Sequence, residues 1–187
     1  MTTVGKSDRK IRLAFIAPYP KMSAAITNVA EHMNINVEYV YASLEQGIVE
    51  ARKIESRIDA ICSRGGTGTL IKDNVEVPVV LIPTTPFDII KSLWSLKEPS
   101  EDIAVFTYES KMYGIQDIAQ HFNISIHEFI YLNYDDIYRN VEKAKQQGIS
   151  ILIGGHVAAD LANKMGMTGI ECVAGQESIR RSLSVSE

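Results

Sequence analysis

Short apolar runs alternate with amphipathic stretches along almost the whole chain, and the alternation is regular enough to predict its elements. Ile11 to Ala17 is nearly continuous in apolar residues, the pattern of a strand buried on both faces. Pro18-Tyr19-Pro20 ends it, and Ser23 to Met33 reads as a helix. Val37 to Tyr41 is a second strand. Leu44 to Ser56 follows as a helix, with Ser43 and Gln46 spaced for a capping box. Asp59 to Ser63 is a third strand that breaks at Arg64-Gly65-Gly66-Thr67 and re-emerges as a helix to about Asn74. Val77 to Ile82 is a fourth strand. Pro83-Thr84-Thr85-Pro86 turns it into a helix over Phe87 to Leu96, with Pro86 near the first helical position.

The polar run Lys97 to Asp102 interrupts this order, and the pattern then repeats. The predicted strands are Ile103 to Thr107, Ile124 to Tyr131, Ser150 to Ile153 and Gly169 to Val173. The helices between and after them are Met112 to Phe122, Asp135 to Gln147, Val157 to Met165 and Glu177 to about Leu183. Equivalent features recur at a fixed interval. Ile61 to Gly66 aligns with Leu152 to Gly155, and Thr84 to Ile90 aligns with Ala174 to Arg180, the signature of an internal duplication. Strict strand–helix alternation with short links dictates parallel sheets covered by helices and joined by right-handed crossovers. The expected fold is therefore α/β: two lobes, residues 1–97 and 98–187, each a three-layer α/β/α sandwich, with the last helix free to cross back onto the first lobe.

Ligands of open parallel sheets bind beyond the carboxyl ends of the strands, so the glycine turns at Gly65-Gly66 and Gly154-Gly155 are expected to face a cleft between the lobes. A strand running into a glycine turn and a helix start exposes backbone N–H groups to an anion. The candidate ligand-binding residues are Pro18, Tyr19, Ser63, Arg64, Gly65, Gly66, Thr67, Thr84, Thr85, Phe87, Thr107, Tyr108, Gly154, Gly155 and His156. Arg64 is the residue expected to pair bidentately with a carboxylate, and its replacement by alanine is expected to weaken binding while leaving the fold intact.

Composition narrows the class. A length of 187 residues with 45% hydrophobic and 22% charged content is ordinary for a globular chain. The formal net charge of -4 gives no nucleic-acid face. The polar start and the lack of any long apolar run argue against a signal peptide or membrane span, so the expected location is cytoplasmic. The four histidines show no metal-ligand spacing, and no cofactor is expected. Two cysteines in two halves invite comparison with two-lobed racemases that use one thiol from each half. Yet Cys62 and Cys172 are placed inside strands, away from the ends where a thiolate would reach the cleft. A cytoplasmic small-molecule binding protein is the other alternative. Exposed apolar patches are compatible with a homo-oligomer.

Ser63-Arg64-Gly65-Gly66-Thr67, Pro78-Val79-Val80 with Phe87-Asp88-Ile89, Gly154-Gly155, and Gly175-Gln176-Glu177-Ser178-Ile179-Arg180 together match one family in order. From about Ile11 to Leu183 the chain resembles the N-terminal sensor domain of the propionate-catabolism activators, which are sigma-54-dependent transcriptional regulators. The resemblance implies two Rossmann-like lobes, related to periplasmic-binding-protein and chelatase folds. It also implies a small carboxylate effector, 2-methylcitrate in the best-known members, which controls the ATPase and DNA-binding domains of a full-length regulator. No Walker A motif or helix-turn-helix region is present, so the chain is expected to be a sensor domain alone, cut from a regulator or standing by itself. His156 stands where family members often carry a smaller or hydroxyl residue.

Overall fold

The computed structural model describes residues 9–18, 20–96 and 102–184. Among the described residues, eight strands alternate with eight α-helices. In the first half the order is β1 (Ile11–Ala17), α1 (Ser23–His32), β2 (Ile35–Tyr41), α2 (Glu45–Ile54), β3 (Ala60–Arg64), α3 (Gly65–Lys72), β4 (Val79–Ile82) and α4 (Pro86–Trp94). The second half runs β5 (Asp102–Tyr108), α5 (Ile115–Phe122), β6 (Ser125–Tyr131), α6 (Tyr134–Gln146), β7 (Ile151–Gly154), α7 (His156–Lys164), β8 (Thr168–Glu171) and α8 (Gln176–Ser184). Two separate four-stranded parallel sheets result, in the orders β2-β1-β3-β4 and β6-β5-β7-β8. The same order in both sheets is what the duplicated sequence pattern requires. The expected boundary at residues 97 and 98 lies outside the described residues.

Successive side chains of a strand point to opposite faces, so a strand covered on both sides fills two cores. In the first sheet Leu13, Phe15 and Cys62 pack against Ile26 and Val29 of α1, while Ala14, Ile16 and Ile61 pack with Ala51, Ile54 and Ile71 from α2 and α3. In the second, Ala104, Phe106 and Leu152 meet α6 and α7, and Ile103, Val105 and Ile153 meet Ile115 and Ala119 of α5.

Each sheet also takes a helix from the other half. Ile89 of α4 belongs to the core of the second sheet, beside Ile103, Val105 and Ile115. Ile179 and Leu183 of α8 belong to the core of the first, beside Leu13, Phe15 and Ile26. The chain thus crosses between the halves at Pro83–Thr85 and again at Val173–Gly175, and these crossings set the floor of the space between the sheets.

Local capping differs from expectation at one helix and matches it at another. Ser43 does not cap α2; the residue before the helix is Leu44, at φ +47°, with no side-chain cap. The Leu44 N–H donates instead to Thr67 Oγ1 at 3.0 Å. This hydroxyl, 23 residues along the chain, satisfies the backbone N–H of the residue just before the helix. At α4 the capping box is complete: Thr85 Oγ1 accepts from Asp88 N, and Asp88 returns the bond to Thr85 N, with Pro86 at the first position. Helix α5 begins at Ile115 rather than near Met112 because Gly114 adopts a left-handed φ of +79° just before it.

Candidate functional site

The carboxyl ends of both sheets open into one cleft of about 700 Å³, within the size range of small-molecule sites. Most of the residues singled out in the sequence line it: Pro18, Arg64, Gly65, Gly66, Thr67, Thr84 and Thr85 from the first half, and Thr107, Tyr108, Gly154, Gly155 and His156 from the second. Two do not. Ser63 is fully buried, its hydroxyl donating to Ile16 O at 2.7 Å. Phe87 is 56% exposed and carries the Lys91 ammonium over its ring, outside the cleft. Tyr19 lies outside the described residues.

Arg64 lies in the cleft wall but is engaged by the protein itself. Its Nη2 meets Asp88 Oδ2 at 3.1 Å, its Nη1 donates to Cys172 O at 3.1 Å, and its Nε donates to Thr84 Oγ1 at 3.2 Å. The pair is enclosed, with Arg64 and Asp88 side chains 11% and 1% exposed. Asp88 is in turn saturated, taking bonds from Thr85 N, Thr85 Oγ1 and Gly175 N as well. Arg64 therefore ties the end of β3 to both crossover segments. Against the expectation that alanine at this position leaves the fold intact, this geometry predicts a loss of stability.

The other hydroxyls of the first half are similarly committed. Thr67 accepts from Leu44 N, Thr84 from Arg64, and Thr85 closes the capping box with Asp88. Thr107 differs. Its Oγ1 is buried and has no hydrogen-bond partner among the described residues. Burying a hydroxyl without a partner costs free energy that a bound polar group would recover.

Two helices start at the cleft without a side-chain cap: α3, behind Arg64, and α7, behind Gly155. Their first-turn amides and the aligned peptide dipoles favour negative charge. Aromatic and aliphatic groups supply the remaining wall. Tyr108 and Tyr131 meet edge to face at 5.6 Å, and Leu44 reaches from the first half into the core around Phe106 and Tyr131. Burial pushes the Tyr131 phenol up to about 12 and Tyr108 also upward, so both rings stay neutral and keep their O–H donors. Gly66 is required here for space: a Cβ would stand 2.7 Å from the Tyr108 ring.

The sequence pattern did not single out the segment Glu109 to Tyr113, which lines the cleft, nor Leu44, Tyr131 and Cys172. The left-handed φ of Glu109, +60°, marks the sharp turn out of β5 that brings this segment over the opening. Cys172 lies one residue past the end of β8 and reaches the cleft, a correction to its expected place inside the strand. Cys62, by contrast, is enclosed in the first sheet's core. Burial raises the thiols to about 12 for Cys62 and about 11 for Cys172, so both are protonated at neutral pH and do not form an opposed thiolate pair. Among the described residues, no group of three or more His, Cys, Asp or Glu side chains is placed to hold a metal ion.

Beside the cleft, Glu171 Oε2 lies 3.7 Å from His156 Nδ1 and 3.9 Å from Lys21 Nζ, while its Oε1 is buried without a hydrogen-bond partner among the described residues. Burial raises the Glu171 carboxyl from 4.5 to about 7. The folded state then holds this proton more tightly than the unfolded chain. Stability is expected to fall as pH rises from about 4.5 through about 7. Glu171→Gln should flatten that part of the stability profile in urea titrations at stepped pH; an unchanged slope would remove Glu171 as its source.

Comparison with known proteins places this architecture. Residues 31–187 match the propionate catabolism activator family. The chain is similar in three dimensions to an NtrC family transcriptional regulator from Clostridium acetobutylicum, with 26% identity, 95% of each chain covered and a TM-score of 0.87. A conserved domain protein from Vibrio cholerae shares the general fold at 11% identity and a TM-score of 0.50, over 84% of this chain and 71% of that one. Among the described residues, no helix is long and apolar enough to cross a membrane. A match over most of the sequence, together with a regulator of the same fold along nearly its full length, assigns the chain to the propionate catabolism activator family, as a regulatory sensor domain.

Proposed function

We propose that the domain binds a small carboxylate metabolite between its two sheets, and that occupancy of the cleft governs the ATPase and DNA-binding parts of a cytoplasmic sigma-54-dependent activator. The observation that carries this reading is the cleft itself. It lies at the carboxyl ends of both sheets, is opened by two helices without side-chain caps, and contains a buried hydroxyl with no partner among the described residues. Membership of the propionate catabolism activator family supports a metabolite of that chemistry, and the effector resemblance points to 2-methylcitrate or a close relative. The double crossover supplies a means of transmission. A ligand that draws the sheets together acts on Pro83–Thr85 and Val173–Gly175, and so on α4 and α8, each of which rests on the opposite sheet.

The test is a thermal-shift and calorimetric titration with 2-methylcitrate, citrate, succinate and propionate. A ligand at 100 times its Kd is expected to stabilise the domain by about 2.7 kcal/mol. If none of the four raises the melting temperature or releases heat, the carboxylate reading fails.

A further inference from the structure

The two halves of the cleft descend from one pattern, and their differences identify which half takes the ligand's charge. The paired strands set the equivalences. Phe15 faces Cys62 between β1 and β3, as Val105 faces Ile153 between β5 and β7. Carrying the ladders forward two residues brings Ala17 level with Arg64 in the first half and Thr107 level with Gly155 in the second. The same position is therefore filled by a methyl group and a committed arginine in one half, and by an unpartnered hydroxyl and a glycine in the other.

In the first half the side chain at this position is committed. Arg64, the residue before α3, spends three of its donors on Asp88, Thr84 and Cys172. In the second half Thr107 is only 8% exposed, its Oγ1 lacks a partner among the described residues, and both Thr107 and Gly155 line the cleft. Gly155 has an ordinary φ of -66°, so glycine is not needed there for backbone conformation. A Cβ at Gly155 would find its nearest neighbour, the Tyr131 hydroxyl, at 3.7 Å, so the protein's own packing does not demand glycine either. What the missing Cβ leaves is access to the amides that open α7, a nine-residue helix with no side-chain cap.

We propose that Thr107 and the amides opening α7 form the subsite for the ligand's carboxylate head, that Tyr108, Tyr131 and Leu44 receive its less polar part, and that Arg64 is a positioning residue. The assignment rests on the cleft being a ligand site. The ionisable groups facing this end are His156, Lys111 and Glu109 in the lining, with Glu171 behind His156. The hydroxyl of Thr107 donates to the carboxylate, and the α7 amides fix its second oxygen.

The experiment measures binding of 2-methylcitrate, citrate, succinate and the amide of succinate by calorimetry, to the native chain and to Thr107→Val, Thr107→Ser and Gly155→Ala. Valine keeps the shape of threonine and removes only an unsatisfied hydroxyl, so Thr107→Val is expected to fold with an unchanged or higher melting temperature. Its affinity for the bound carboxylate should fall by about tenfold or more, as expected for a hydrogen bond to a charged group. Thr107→Ser, which keeps the hydroxyl, should retain most of the affinity. Gly155→Ala should match the native melting temperature and bind more weakly. Native binding that survives unchanged in both Thr107→Val and Gly155→Ala overturns the subsite while leaving the ligand reading in place. Equal affinity for succinate and its amide also overturns it. A native chain that binds none of these compounds overturns both.

Discussion

Arg64→Ala is expected to cost about 3–5 kcal/mol of folding stability, the range for breaking an enclosed ion pair by removing one partner. Asp88 is 1% exposed, and without the guanidinium its charge loses its one cationic partner among the described residues. Its other bonds come from Thr85 and Gly175, neutral groups already needed to close the start of α4 and to hold the crossover before α8. The alanine variant also releases Cys172 O and Thr84 Oγ1. Arg64→Lys should recover only part of the loss, since one ammonium cannot reach three partners that a planar fork meets together. Urea unfolding of the three chains measures this. A loss below about 1 kcal/mol for Arg64→Ala would place the pair in the class of surface ion pairs and contradict its enclosure. The consequence for function is practical: weakened ligand binding by this variant is to be read together with its loss of stability.

Gly169→Ala should destabilise the domain by about 3 kcal/mol or more, at or beyond the top of the usual range for overpacking. Gly169 lies in β8 directly beneath α7, and a Cβ there would fall 1.9 Å from Ala159 O and 2.7 Å from its carbonyl carbon. The obstacle is helix backbone, which cannot rotate aside as a side chain would. The Asn163 amide fixes the contact further, accepting from Gly169 N at 2.9 Å and donating to Gly169 O at 3.1 Å. Relief requires α7 to lift from the sheet, which breaks these bonds and opens the core around Leu152, Ala158 and Ala162. Thermal and urea unfolding test this against Gly155→Ala, where nothing stands closer than 3.7 Å. Equal melting temperatures for the two variants would refute the close approach of helix and strand. The contrast also separates two reasons for a glycine on one half of the fold: packing at Gly169 and access at Gly155.

Both expectations rest on contacts that no local pattern displays. The amide partner of Leu44 is 23 residues away at Thr67, so a reading by spacing assigned the cap to Ser43 and Gln46 instead. Arg64 after a strand and before two glycines has the composition of an anion site. Its actual partner lies at Asp88, 24 residues away in the first turn of α4. The segment Glu109 to Tyr113 is not marked as cleft lining by the sequence pattern, because its place there follows a left-handed turn at Glu109.

The sequence by itself determined the eight strand–helix units, their parallel pairing, the duplicated order and the two glycine turns at the cleft. A strand covered on both faces must be a continuous apolar run, and a helix packed on a sheet must carry an apolar stripe; both periodicities are written locally. Only the tertiary structure decided which sheet each helix covers. Ile89 and Ile179 have the same apolar faces whether α4 and α8 stay with their own half or exchange, and only packing reveals the exchange. It alone decided that Arg64 is satisfied and Thr107 is not, because a hydrogen bond between residues far apart in the chain leaves no trace in the spacing of either.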